Sequence, residues 1–231
     1  MLTFWSSAPL QLPDTFWNAG PSGVPAPLLL MENEDNFYVV GIGLSAGGLD
    51  PLREMLANLS SDPGAAFVVV SHMQADQESR LDTILAKSTA LPVVWMAHDA
   101  PLLPNRVYLL PPGKMATLQG SRFRLRDRLP EEIINRSVTI FFSSMAEHLG
   151  HRSIGVILSG NGSDGLEGVR AIEDQGGIVM VQHPATARFD SMPGSVVNQD
   201  HPDVVLPPVQ LAQALMTHLR VPPYSFGQRQ G

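Results

Sequence analysis

The sequence predicts an α/β protein: a mostly parallel, doubly wound sheet with helices on both faces and a small antiparallel hairpin. Three observations carry that prediction. Short apolar runs of strand length, rich in Val and Ile, recur from Tyr38 to Leu206. Most are followed by a stretch of helical length, the alternation a parallel sheet requires because its crossover connections are usually helices. Two of the runs lead directly into glycine-rich turns, Gly41 to Gly48 and Gly160 to Gly165, as expected where a strand hands over to a helix.

Taken in order, Phe37 to Gly43 reads as a buried strand entering a glycine turn. Leu49 to Leu59 reads as a helix with Leu49, Leu52, Leu56 and Leu59 on one face. Ala65 to Val70 is a second strand, ending at Ser71-His72, and Ser79 to Lys87 a helix with Leu81, Ile84 and Leu85 as its stripe. Pro92 to Met96 and Arg106 to Leu110 are strands separated by the Pro- and Asp-rich stretch Asp99 to Asn105. Met115 to Gln119 and Arg122 to Leu125 alternate about Gly120-Ser121, the pattern of a two-residue hairpin that decorates the parallel sheet. No element is assigned over Arg126 to Arg136. The second half resumes the alternation: helix Val138 to Leu149, strand Ile154 to Leu158, helix Leu166 to Gln175, strand Ile178 to Val181, strand Val204 to Leu206 and helix Val209 to Leu219.

The domain reading is a leader over residues 1–35, disordered or loosely docked, a catalytic domain over 36–221 and a tail over 222–231. Five prolines interrupt the apolar residues of the leader, so it makes a poor signal peptide. A partner-binding segment around Phe4, Trp5, Phe16 and Trp17 is the alternative use of that stretch. No run approaches the roughly 20 apolar residues of a membrane span, so no membrane insertion is expected. A formal charge of −7 with only 16% charged residues lacks the basic footprint of a nucleic-acid binder. The chain has no cysteine, which excludes disulfides and thiolate catalysis and suits a cytoplasmic location.

Three residues with complementary chemistry stand at or just beyond strand ends. Ser45 follows the first strand, His72 the second, and Asp164 lies in the glycine-rich turn after Ile154 to Leu158. In open α/β sheets, sites form at the carboxyl ends of strands. A serine hydroxyl needs a base to take its proton as it attacks. An imidazole with an ordinary pKa of about 6.5 can take it near neutral pH. A carboxylate orients that imidazole and stabilises its protonated form, which completes an acyl-transfer constellation. A helix starting soon after Ser45 would aim amide N–H groups at a developing oxyanion. The glycines around Ser45 could instead form a dinucleotide turn, but no carboxylate ends the next strand to hold a ribose. Gly43-Leu44-Ser45-Ala46-Gly47 has the spacing of a nucleophile elbow, yet the order Ser, His, Asp differs from that of the fold known for it. His98, His148, His151, His183, His201 and His218 share no spacing that points to a metal.

Several segments, in order, resemble the catalytic domain of chemotaxis protein-glutamate methylesterases (CheB type). They are Gly41 to Leu49, Val69 to Met73, Val107 to Gly113, Gly155 to Gly165 and Phe189 to Pro193. The wording of Gln182 to Ala187 is closest to methylesterase domains fused to receptor methyltransferases. The resemblance implies hydrolysis of glutamyl methyl esters on the cytoplasmic domains of chemoreceptors, and in some relatives glutamine deamidation. It implies Ser45, His72 and Asp164 as the triad, a main-chain N–H near Asn161 at the oxyanion, and no metal or organic cofactor; the Ala46 main chain, next to Ser45, is the other candidate oxyanion donor. Arg136-Ser137-Val138-Thr139 differs from the family's frequent Pro-Ser-Val-Asp at its first and last positions. The amino-terminal receiver domain of many members is not expected within this chain. Control would then come from a separate partner, a methyltransferase or response regulator among the candidates, or activity would be constitutive. Two other functions fit the same residues: an esterase or amidase for another acyl substrate, and an inactive module that binds receptor without turnover.

Overall fold

A computed structural model describes residues 36–71 and 80–223. The leader, His72 to Ser79 and the tail from Tyr224 lie outside the described residues. Strands β1 (Tyr38–Leu44), β2 (Ala65–Ser71), β3 (Val93–Trp95), β4 (Arg106–Leu109), β7 (Ser153–Ile157), β8 (Ile178–Gln182) and β9 (Val204–Leu206) form one sheet. Their order is β3-β4-β2-β1-β7-β8-β9 and every pairing is parallel. β1 is central: Gly43 aligns with Val70 of β2 on one side and Ile157 of β7 on the other. The chain leaves β1 toward β2 and later resumes the sheet on β1's other edge, so the winding direction reverses at β1. Such a switch point opens a crevice at the strands' carboxyl ends.

The pleat sorts β1 between two cores. Tyr38, Val40, Ile42 and Leu44 join a cluster with Leu52, Met55 and Leu56 of helix α1 (Leu49–Ala57), Leu85 of α2 (Leu81–Leu85) and Leu211 and Leu215 of α6 (Pro208–His218). Val39 belongs to the opposite cluster, with Phe141, Phe142 and Met145 of α3 (Ser137–Leu149), Val169 and Ile172 of α4 (Leu166–Asp174), and Met192 and Val196 of α5 (Ser191–Gln199). A sheet covered on both faces has no solvent face to mark with polar residues, hence the continuous apolar runs.

The hairpin stands as its own two-stranded sheet, β5 (Lys114–Gln119) with β6 (Arg122–Asp127), and Gln119 pairs with Arg122 across the expected turn. A lone hairpin is marginal in water; this one packs on α3, where the Leu118 N–H donates to the buried Ser144 Oγ at 3.0 Å. At the end of β6, Arg126 clasps Glu132 through both terminal guanidinium nitrogens (2.8 and 2.6 Å). That bond, with the Leu129 N–H, holds the Glu132 carboxyl down at about 2. Of the stretch left without an element, Arg126 and Asp127 therefore complete β6 and the rest is a stapled loop. Helix α5 was not expected, because Pro193 and Gly194 break its pattern. Pro193 lies in the first turn, where its missing N–H costs no helical hydrogen bond.

Candidate active site

The geometry at the end of β1 follows from what its glycines allow. A Cβ on Gly41 would lie 2.7 Å from Phe142, and one on Gly43 2.4 Å from Val138, both residues of α3. Gly155 of β7 likewise faces Ile172 and Phe142 at 2.8 and 3.3 Å. These positions let α3 lie close against the sheet centre. At Gly41 and Gly43 the space a side chain would take is filled by Phe142, Met145 and Val138 of α3. Ser45 is half-buried and follows Leu44 directly. Its N–H donates to Ser159 O at 3.0 Å, and its C=O accepts from Gly48 N–H at 3.1 Å. Helix α1 starts at Leu49, so a tight turn separates the serine from the helix.

Beneath that turn lies Ser159, fully buried. Its Oγ donates to Ala46 O (3.0 Å) and accepts from Phe189 N–H (3.0 Å). Its own N–H donates to Oε1 of buried Gln182 (2.9 Å), whose Nε2 donates to Thr186 O (3.1 Å). One hydroxyl thus joins the turn carrying Ser45 to the segment leading into α5. Gly160 completes the join: its N–H donates to Phe189 O, its C=O accepts from Met192 N–H, and a Cβ there would meet Ser45 Cβ at 3.0 Å and Met192 Sδ at 2.1 Å. Neither Ser159 nor Gln182 was singled out from the sequence for a role. The available signal was a polar residue closing an apolar strand, Ser159 just past β7 and Gln182 at the end of β8.

Asp164 is half-buried and sits at the amino end of α3. Its Oδ2 accepts from Val138 N–H at 3.0 Å and its Oδ1 from Thr139 N–H at 2.9 Å. A helix leaves its first N–H groups without internal partners, and here side chains accept from those of Ser137, Val138 and Thr139 before the helix's own bonds begin at Ile140. Ser137 N–H donates to Asn135 Oδ1 (3.0 Å) and Ile140 N–H to Arg136 O (2.9 Å). The positive end of the helix dipole favours negative charge at that carboxylate. In return, Thr139 Oγ1 accepts from the buried Gly165 N–H at 2.9 Å.

Next to Asp164 is a cavity of about 520 Å³, also lined by Arg136, Thr139, Asn161 and Glu167. Ser45 does not line it. Asn161 is exposed on the glycine-rich loop, and Ala46 is half-buried with its C=O committed to Ser159. His72 lies outside the described residues; Ser71, which precedes it, aligns with Leu44, which precedes Ser45. The described site thus offers a serine at a switch point and a carboxylate held by two amides, both beyond the carboxyl ends of adjacent strands.

The model of the CheB methylesterase family matches residues 40–215. The protein-glutamate methylesterase/protein-glutamine glutaminase of Moorella thermoacetica is 37% identical over 183 residues, 77% of this chain and 43% of that protein. A second protein of that name, from Anaeromyxobacter dehalogenans, is 37% identical over 177 residues, covering 77% of this chain and 52% of its own. The chain spans about half the length of these curated relatives. The crystal structure of the Thermotoga maritima CheB methylesterase catalytic domain superposes with a TM-score of 0.73 at 27% identity, covering 79% of this chain and 98% of that one.

Proposed function

The chain belongs to the CheB methylesterase family, and from that premise we propose that it is a serine hydrolase cleaving glutamyl methyl esters on the cytoplasmic domains of chemoreceptors. Ser45 Oγ attacks the ester carbonyl carbon while His72 takes its proton. The tetrahedral intermediate collapses with cleavage of the bond to the methoxy oxygen, which leaves as methanol with the proton from His72. Water, deprotonated by His72, then attacks the acyl-enzyme and releases the glutamate carboxylate and free Ser45. Asp164 orients the imidazole and balances its positive charge. Main-chain N–H groups at Ala46 and Asn161 are the donors assigned to the oxyanion.

The observation that carries this reading is the placement of Ser45 and the Asp164 loop beyond the ends of adjacent strands β1 and β7, at the sheet's switch point. The relatives' shared name supports a second acyl substrate, a glutamine side chain, from which the same steps release ammonia. A cytoplasmic setting belongs to the same reading; among the described residues no helix is long and apolar enough to cross a membrane. The test is methanol release from methylated receptor cytoplasmic fragments by this protein and by its Ser45→Ala variant. Release by the parent alone supports the proposal. Equal release from both removes Ser45 from the mechanism, and none from a folded parent contradicts the substrate assignment.

A further inference from the structure

We propose that Thr139, with Val138, is a positioning residue that sets the Asp164 carboxylate against the strand end carrying Ser45; this rests on the triad reading above. The first turn of α3 touches both partners. Val138 occupies space left by two glycines: a Cβ on Gly43, two residues before Ser45, would lie 2.4 Å from its Cγ1, and one on Gly165, just after Asp164, 2.9 Å. Ile157 closes the same gap, 3.1 Å from the Gly43 position and 2.7 Å from that of Gly165. Val138 therefore acts as a spacer between the serine's strand and the carboxylate's loop.

Thr139 supplies the directional part. Its N–H holds Asp164 Oδ1 (2.9 Å) while its Oγ1 holds Gly165 N–H (2.9 Å), so two successive residues of the loop are gripped by one residue of the helix. The Val138 N–H on Oδ2 adds a third bond and defines the plane of the carboxylate. Gly165 has φ +99°, a conformation open to glycine, and Thr139 Oγ1 fixes it by accepting from its N–H directly. Thr139 is 8% exposed and lines the cavity beside Asp164, so the clamp sits at the wall of the site. Its hydroxyl is the one side-chain group in this clamp that a substitution can remove while leaving the helix amides in place.

The experiment compares Thr139→Val, which keeps the shape and removes the acceptor, with Thr139→Ser, which keeps the acceptor. Two readouts are used: the rate at which a fluorophosphonate labels Ser45, and kcat and KM for methanol release. In labelling, the Oγ–phosphorus bond forms, the phosphorus–fluorine bond breaks, fluoride leaves and His72 takes the hydroxyl proton. A positioned base contributes about 10²–10⁴-fold, so a displaced orienting carboxylate should slow labelling and kcat by roughly 10-fold or more in Thr139→Val. KM stays unchanged, and Thr139→Ser restores the parent values. If Thr139→Val does not fold, Thr139→Ala removes the same acceptor with no extra methyl to accommodate. Labelling of a folded acceptor-less variant at the parent rate overturns the proposal, as does a folded Thr139→Ser variant that stays slow. A parent labelled on Ser45 that releases no methanol contradicts the methylesterase reading instead and leaves the labelling comparison valid.

Discussion

Gly160→Ala places a methyl group where two different consequences can be separated. The new Cβ would lie 2.1 Å from Met192 Sδ, 3.0 Å from Met192 Cγ and 3.0 Å from Ser45 Cβ. The backbone cannot step aside cheaply, because Gly160 N–H is bound to Phe189 O at 3.0 Å and its C=O to Met192 N–H at 2.9 Å. Met192 is fully buried, so its displaced thioether must push into packed neighbours. Overpacking of this kind costs about 1–3 kcal/mol. A cost of about 2 kcal/mol lowers Tm by about 4–8 °C for a domain of this size. On the triad reading the Ser45 contact acts on activity: the serine Cβ must give by a few tenths of an ångström, and since a misplacement of about 1 Å can cost about 10²-fold, labelling should slow by roughly several-fold. The assays are thermal unfolding and fluorophosphonate labelling of Gly160→Ala, Met192→Ala and the double variant. Met192→Ala removes both thioether contacts, so the double variant should be more stable than the sum of single effects by about 1–2 kcal/mol. It should still label slowly, because the Ser45 contact remains. Stability effects that add within about 0.5 kcal/mol, or labelling at the parent rate in Gly160→Ala, would refute the reasoning.

Two further outcomes are expected elsewhere. Ser159→Ala deprives Phe189 N–H of its acceptor and frees Ala46 O; a loss of about 1–2 kcal/mol should appear in urea unfolding, and an unchanged midpoint would count against the join described here. Burial first, then the nearby Asp200 carboxylate, pushes Glu173 up to about 7 from 4.5. The folded protein thus holds that proton more tightly than the unfolded chain. The stabilisation is full below 4.5 and is lost as pH rises through about 7. Glu173→Gln should therefore gain about 1 kcal/mol over the parent at pH 8, once solvent screening is counted, and little at pH 4. A gain of equal size at both pH values would point to another cause.

The sequence showed the strands best where they are buried on both faces. Tyr38–Leu44, Ala65–Ser71 and Ile178–Gln182 were each placed within a residue at either end, because an apolar run bounded by Gly or Ser has few other readings. Ser45 and the Asp164 loop came with them, since a residue just past such a strand must lie at the sheet's carboxyl edge. Helix α5 was hidden by Pro193 and Gly194, whose breaker signal is local while the helix is held by Met192 and Val196 in the core. The roles of Val138, Thr139, Ser159 and Gln182 were hidden for another reason. Each acts through a partner remote in sequence, 26 residues away for Thr139 and Gly165 and 30 for Ser159 and Phe189. No periodicity records such a pairing. The glycines of β1 were legible as small but not as the seat of α3, because only the packed structure shows which face each one meets.

The intact mass of a methylated receptor cytoplasmic fragment reports cleavage of its glutamyl methyl esters directly. After incubation with this protein the fragment should lose one methylene mass for each methanol released, and none with Ser45→Ala. A mass loss that persists in Ser45→Ala, or an unchanged fragment beside a folded parent, would contradict the account.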